Sequence, residues 1–278
     1  MRIKIDWLSF TVKIATDNDT PEAFGSAIEQ GFEGVLTPST ISELFVHTWK
    51  ERKGGRAPYS LSWDVGETGL VVFASEKLGH VLIECSGKGC DYIRSMGVET
   101  ELLECIQGRL SRIDIAADME TNTSPDEFVR AKTGRKERSI ASFDTDTGST
   151  RYIGSMKSES YVRVYRYNEP HPRHKLLRVE FVFRRKHART IASEIIVQGI
   201  NNVAAALGKK RGFAHPVWQP ESDYVEDFRF PRPEREASGT VFWLIKSAAP
   251  AFKRLVKEGV IDDPEQFLLA YFMGDEGG

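Results

Sequence analysis

Between Tyr161 and Tyr167 the chain alternates. Tyr161, Arg163, Tyr165 and Tyr167 fall on one face of an extended strand, and Val162, Val164 and Arg166 fall on the other. A small-residue turn, Gly154-Ser155, precedes this strand. The same period marks Ile3–Val12, Leu110–Met119 and Leu176–Arg184, and shorter strands are expected at Tyr59–Val65, Gly69–Ala74, His80–Cys85 and Arg151–Gly154. Helical signals lie between them. Thr20 caps a helix to Gln30 with Pro21 at its first position, and Thr40 with Glu43 forms a capping box for a second helix, from Ser39 or Thr40 to about Arg52. Further helices are expected over Cys90–Gln107, Pro125–Lys132 and Arg189–Leu207, a basic loop at Lys50–Arg56, and a long polar loop in the rest of 121–150. Hairpins beside runs of helix indicate an α+β fold, with an antiparallel sheet core and flanking helices.

Three segments follow from this order: an N-terminal α+β lobe over 1–108, a second α+β lobe over 109–215, and a linker with C-terminal helices over 216–278 that packs on the core. Pro216–Pro233 reads as the linker, and Ser238–Met273 has helical periodicity. Ile5-Asp6 and Ile113-Asp114 each open a strand–helix–strands block of about a hundred residues, which leaves room for two pseudo-repeated lobes.

No apolar run approaches the roughly 20 residues that span a bilayer, and the start lacks a signal-peptide pattern, so a cytoplasmic location is expected. Cys85, Cys90 and Cys105 fit reduced thiols better than a disulfide framework or a zinc site. The formal net charge of −2 conceals an asymmetry: residues 121–213 carry 19 Lys+Arg against 9 Asp+Glu, and the remainder carries 19 against 31. A basic middle in an acidic chain suits a polyanion.

The chemistry-bearing residues lie on the strands. An arginine two residues before a tyrosine on one face, Arg163 and Tyr165, offers a phosphate clamp beside a nucleophile. Asp114, Ala116 and Asp118 share a face, as do Arg178, Glu180 and Val182. Such carboxylates suit Mg²⁺ or Mn²⁺, or equally a cross-strand ladder joining Asp114 or Glu180 to Arg112, Arg163 or Arg178. Ser86-Gly87-Lys88-Gly89-Cys90 is not a Walker loop and reads as a tight connection, with an anion site at a helix start as the alternative. His171, His174 and His187 read as phosphate contacts or surface residues, and no strand carries two histidines around one apolar residue.

In their order, Asp6-Trp7-Leu8-Ser9-Phe10, Gly87-Lys88-Gly89-Cys90, Arg112-Ile113-Asp114-Ile115-Ala116-Ala117-Asp118, Tyr152-Ile153-Gly154-Ser155 with Arg163-Val164-Tyr165, and Arg178-Val179-Glu180-Phe181 resemble the replication initiation factor family. That family contains rolling-circle plasmid initiators, replication proteins of filamentous phages and relaxases of some integrative elements. The resemblance covers about residues 3–260, and Trp243-Leu244-Ile245 with Pro250 and Leu255 looks like the family's closing helices. It implies a metal-dependent tyrosine nickase that cuts and rejoins one DNA strand through a 5′-phosphotyrosyl link. Tyr165 takes the nucleophile position, and Asp114, Glu180 and more weakly Asp118 take those that hold Mg²⁺ or Mn²⁺. The family usually has lysine two residues after the nucleophile; Tyr167 stands there, as a second nucleophile or a substitute contact, and the basic role passes to Arg166 or Lys175. Lys157, Arg178, Arg184, Arg185 and Lys186 complete the candidate DNA contacts. The implied partners are an origin hairpin or a single strand with a duplex flank, and a host helicase, with the protein a monomer or a homodimer. A DNA-binding relative without catalysis, or an unrelated α+β protein, are the competing readings.

Overall fold

The computed structural model describes residues 2–14, 20–32, 38–45, 48–75, 77–130, 140–146, 148–213, 218 and 249–264. Among them, ten strands form one antiparallel sheet: β1 (Arg2–Lys13), β2 (Trp49–Glu51), β3 (Leu61–Val65), β4 (Leu70–Ala74), β5 (His80–Cys85), β6 (Leu110–Glu120), β7 (Ile140–Thr145), β8 (Gly148–Ile153), β9 (Ser160–Tyr167) and β10 (Leu176–Arg184). Their spatial order is β2-β3-β4-β5-β1-β6-β10-β9-β8-β7. Outward from the β1–β6 seam, each half runs from its first strand to its last strand and then back through the earlier ones. The fold is α+β, as the alternating periods indicate, and the echo of Ile5-Asp6 in Ile113-Asp114 marks a true topological repeat about the seam.

The helices are α1 (Pro21–Phe32), α2 (Pro38–Phe45), α3 (Gly87–Ser95), α4 (Glu99–Ile106), α5 (Pro125–Arg130), α6 (Arg185–Gln198), α7 (Ile200–Lys210) and α8 (Ala249–Lys257). In each half the helix after the last strand packs on the seam strand, α3 on β1 and α6 on β6. Period-two alternation turns Ile5, Leu8, Phe10 and Val12 of β1, and Ile113, Ile115, Ala117 and Met119 of β6, toward this helical layer, where all are buried. Each large side chain there contributes about 1.5–3 kcal/mol of burial. The other face of the same strands carries charge, and is called the polar face below.

Several boundaries differ from the sequence expectation, each for a local reason. The helix expected to reach Arg52 stops at Phe45, and Trp49–Glu51 pairs with β3 instead. Trp49 stacks near Trp63 and donates its indole N–H to the Phe45 carbonyl, which holds the chain extended. Cys90–Gln107 is two helices, broken at Gly97 with φ +75°; Arg189–Leu207 is likewise part of two, broken at Gly199 with φ +81°. The expected polar loop before Arg151 contains the β7–β8 hairpin, whose cross-strand Phe143–Tyr152 pair sits at 5.4 Å. The glycine-rich turn is a close-packing device: a Cβ on Gly69 would lie 2.6 Å from the Gly89 nitrogen. No disulfide joins the three cysteines, and burial pushes the Cys85 thiol up to about 12, the state of an inert core thiol.

The chain divides into two compact units, residues 1–231 and 232–278. One sheet runs through both 1–108 and 109–215. In the second unit α8 is a short amphipathic helix; the expected linker at 216–233 and most of the expected tail lie outside the described residues, Trp218 excepted. Among the described residues no helix is long and apolar enough to cross a membrane.

Candidate active site

The register of four strands assembles the site. β6 places Asp114 and Asp118 on the polar face, and β10, paired Glu180 to Ala116 and Arg178 to Asp118, sets its own charges beside them. β9 then puts Arg163 opposite Glu180 and Tyr165 opposite Arg178. From the other side β1 brings Lys4 and Asp6, with a bulge between Ile5 and Trp7 that aims Asp6 into the cluster.

The resulting contacts are dense. The Tyr165 hydroxyl donates to Glu180, whose carboxylate also ion-pairs with Arg163 Nη2. Arg163 Nη2 reaches on to Asp114 Oδ2 at 3.3 Å, and Arg112 grips Asp114 in a fork, Nε–Oδ1 2.9 Å and Nη2–Oδ2 2.6 Å. Arg178 forks onto Asp118 at 2.6 and 2.7 Å and donates through Nη1 to Asp6 at 3.0 Å. Lys4 bridges Asp6 at 3.2 Å and Asp91 at 3.0 Å. Asp6 also lies beside the first turn of α3, since a Cβ on Gly87 would sit 3.1 Å from its Oδ1. The anion at that helix start is therefore the protein's own carboxylate, in favourable register with the helix dipole.

Burial sets the electrostatics. Asp114 and Glu180 are each 1% exposed, and desolvation holds both carboxyls above the usual range although Arg112 and Arg163 oppose it. Burial and then the Glu180 charge push the Tyr165 phenol well above the ordinary tyrosine value, so the resting hydroxyl is protonated and points at an acceptor. Burial pulls the Arg163 guanidinium down, but Glu180 and Asp114 outweigh it and keep the group firmly charged.

Of the candidates read from sequence, Arg163, Tyr165, Asp114, Asp118, Arg178 and Glu180 meet in one cluster. Tyr167 packs edge-on against Tyr165 at 5.5 Å and stacks on His171 at 3.8 Å. His174 Nε2 lies 3.2 Å from a Glu169 carboxylate oxygen. Arg166 points to the opposite face, where it donates to the Thr121 and Thr123 carbonyls and fastens the end of β6. Arg184 donates to the Met156 carbonyl at 2.9 Å and lies over the Tyr161 ring. Lys157, Lys175, Arg185 and Lys186 are exposed. Sequence reasoning did not include Asp6 and Lys4 in the site; the Ile-Asp echo was the signal that could have found Asp6.

A divalent ion needs several oxygen ligands not already taken by cations. Four carboxylates (Asp6, Asp114, Asp118, Glu180) face four cations (Lys4, Arg112, Arg163, Arg178), so the cluster is already charge-balanced. Among the described residues no group of three or more His, Cys, Asp or Glu side chains is arranged to hold a metal. Asp6 Oδ1 and Glu180 Oε2 accept no hydrogen bond, yet a cation sits against each. As arranged, these residues form the cross-strand ion-pair ladder and do not fit an added Mg²⁺ or Mn²⁺.

No family model matches the sequence, and no curated protein matches it. Among solved structures, the chain is similar to a rolling circle replication initiator protein from Geobacillus stearothermophilus, with a TM-score of 0.53 and 18% identity, covering 75% of this chain and 84% of that one. The two share a fold.

Proposed function

We propose that the chain is a rolling-circle replication initiator that nicks and rejoins one DNA strand at an origin, with Tyr165 as the nucleophile. The observation that carries this reading is the Tyr165 hydroxyl donating to a buried glutamate that also binds Arg163. A neutral phenol attacks phosphorus poorly, so an acceptor must take its proton as the bond forms. Glu180 is in contact to do so. The Tyr165 oxygen bonds to phosphorus, the bond from phosphorus to the 3′ oxygen breaks, and that oxygen leaves as a hydroxyl with a proton from solvent. Arg163 and Arg178 flank the phenol and offset charge gathering on the phosphoryl oxygens. The phosphotyrosyl ester conserves the energy of the broken bond, and reversal by a 3′-hydroxyl rejoins the strand without ATP. The excess of Lys+Arg over residues 121–213 supplies attraction for the polyanion. The motif resemblance and the shared fold with a rolling circle replication initiator protein support the same reading.

To enter this cluster, the divalent ion that the resemblance implies would have to displace Arg163 from Glu180 or a guanidinium from Asp114. The closed ladder favours a second reading as well, a DNA-binding relative that does not cut. The decisive experiment incubates the protein with supercoiled DNA of its own element in Mg²⁺, Mn²⁺ or chelator, and maps any covalent junction. The first reading expects a 5′-phosphotyrosyl adduct at residue 165, lost in Tyr165→Phe while DNA binding persists. Binding with no strand breakage under any metal condition would select the second.

A further inference from the structure

The repeat about the β1–β6 seam allows the two halves of the polar face to be compared position by position. A two-fold operation that exchanges Ile5 with Ile113 and Leu8 with Ile115 carries Ser9 onto Ala116 and Thr11 onto Asp118. Glu84, opposite Ser9, then takes the place of Glu180, opposite Ala116. Leu82 takes that of Arg178, Val71 that of Arg163, and Phe73 that of Tyr165. The first half keeps the glutamate and has lost both the nucleophile and its clamp.

What covers that half is the basic loop of residues 52–60. Its Arg56 supplies the cation for Glu84, Nη1–Oε1 2.5 Å, where a neighbouring strand does so in the second half. The loop is fastened across the face: the Arg52 amide to the Ser62 carbonyl at 3.0 Å, Ser62 Oγ to the Gly54 carbonyl at 2.8 Å, the Ser60 amide to the Ala74 carbonyl at 3.0 Å. The Tyr59 ring closes it against Phe73 and His80. A Cβ on Gly55 would lie 2.3 Å from the Tyr59 carbonyl oxygen, so the turn admits no bulk. Yet Arg52, Lys53 and Arg56 remain exposed, with the half-buried Asp64 3.9 Å from Arg52. Lys50–Arg56 holds four cations to one acid in a half of the chain that is otherwise acidic.

A fixed backbone that presents exposed cations on the same face as Tyr165 suits a ligand with regularly spaced negative charge. We propose that loop 52–60 is a phosphate-contacting platform that holds the nucleic-acid strand flanking the bond at Tyr165, the repeat having kept one half for chemistry and turned the other into a holder. This rests on the reading of Tyr165 as a DNA nucleophile. Arg52 and Lys53 directly follow β2, and from β9 to β2 is seven strand spacings, about 33 Å, which corresponds to roughly ten nucleotides at 3.4 Å each.

The test uses the full chain and labelled single strands of about 8 and about 30 nucleotides containing the nick sequence, read by anisotropy over a salt series. Arg52→Ala/Lys53→Ala should weaken the long strand about tenfold, at least several times more than the short one, and lower the log–log salt slope by about 1.4 for two lost phosphate contacts. Equal losses on both lengths, or an unchanged slope, would overturn the platform. Covalent adduct formation by the wild type is scored in parallel. A length-dependent loss without any adduct would keep the platform and remove the nickase reading, whereas an adduct with no length dependence would do the reverse.

Discussion

At the scale of single residues, Glu180 carries two opposed roles. Because burial holds its carboxyl above the ordinary range, it is an abler proton acceptor than a solvated glutamate, and it is also an electrostatic liability. The sign follows from linkage. A carboxyl whose folded value is raised binds its proton more tightly in the native state, so its contribution to stability is complete at acid pH and is lost as pH rises through the folded value. Glu180→Gln should therefore gain stability relative to wild type at pH 7, and the gain should vanish below pH about 4.5, the ordinary glutamate range; urea melts at several pH values measure this. The same variant should lose about 10²–10⁴-fold in nicking rate. The wild-type rate should climb with pH over a range displaced above that of a free glutamate, and the residual Glu180→Gln rate should not. A Glu180→Gln protein with normal nicking would remove the glutamate from the reaction. Arg178 is the contrasting case: it is 5% exposed and joins Asp118 to Asp6. Arg178→Met strands Asp118, leaves Asp6 to Lys4 alone and should cost about 3–5 kcal/mol by denaturant titration.

At the scale of elements, what could be read in the sequence was what a strand or helix says about itself. Asp114, Ala116 and Asp118 share a face because of a local period, and so do Arg163 and Tyr165; both groupings hold in the structure. Of the β7–β8 hairpin the sequence showed the end of β8, at residues 151–153, but not β7 or the turn, because the buried face is marked mainly by Arg151, whose guanidinium is satisfied by Asp126 and Asp144, and not by an apolar ladder. Asp6 was missed because its place in the site depends on pairing β1 with a strand more than a hundred residues away. The two helix breaks were missed because glycine is tolerated inside helical periodicity until the backbone requires it. Gly199 does require it: φ +81° and ψ 153° lie in a region other residues scarcely visit, with no atom within 4 Å of an added Cβ. Gly199→Ala should therefore cost about 1–3 kcal/mol through backbone strain alone. Gly108→Ala, equally uncrowded but without a positive φ, should change stability little, and parallel thermal melts of the two variants separate conformation from packing.

At the scale of the whole molecule, the two halves are alike in topology but do not read as independent bodies. Their shared seam, β1 against β6, forms the middle of the sheet, and the polar cluster is stitched across it: Arg178 of the second half binds Asp6 of the first at 3.0 Å, and Ser111 Oγ donates to the Ser9 carbonyl at 2.9 Å. Separation would expose the apolar faces of two central strands, unpair a full ladder of backbone groups and break the Arg178–Asp6 contact, leaving Asp6 to Lys4 alone and Arg178 to Asp118. Fragments 1–108 and 109–278, expressed apart, should therefore be unfolded or aggregated by circular dichroism and sedimentation, and should recover native structure when refolded together. A separately folded 109–278 fragment that still forms the tyrosyl adduct would show that the second half suffices and that the first has no part in building the site. Failure of both fragments alone, with rescue on mixing, would mean that duplication here produced one cooperative sheet, in which the half without a nucleophile is required to hold the charges of the half that has one.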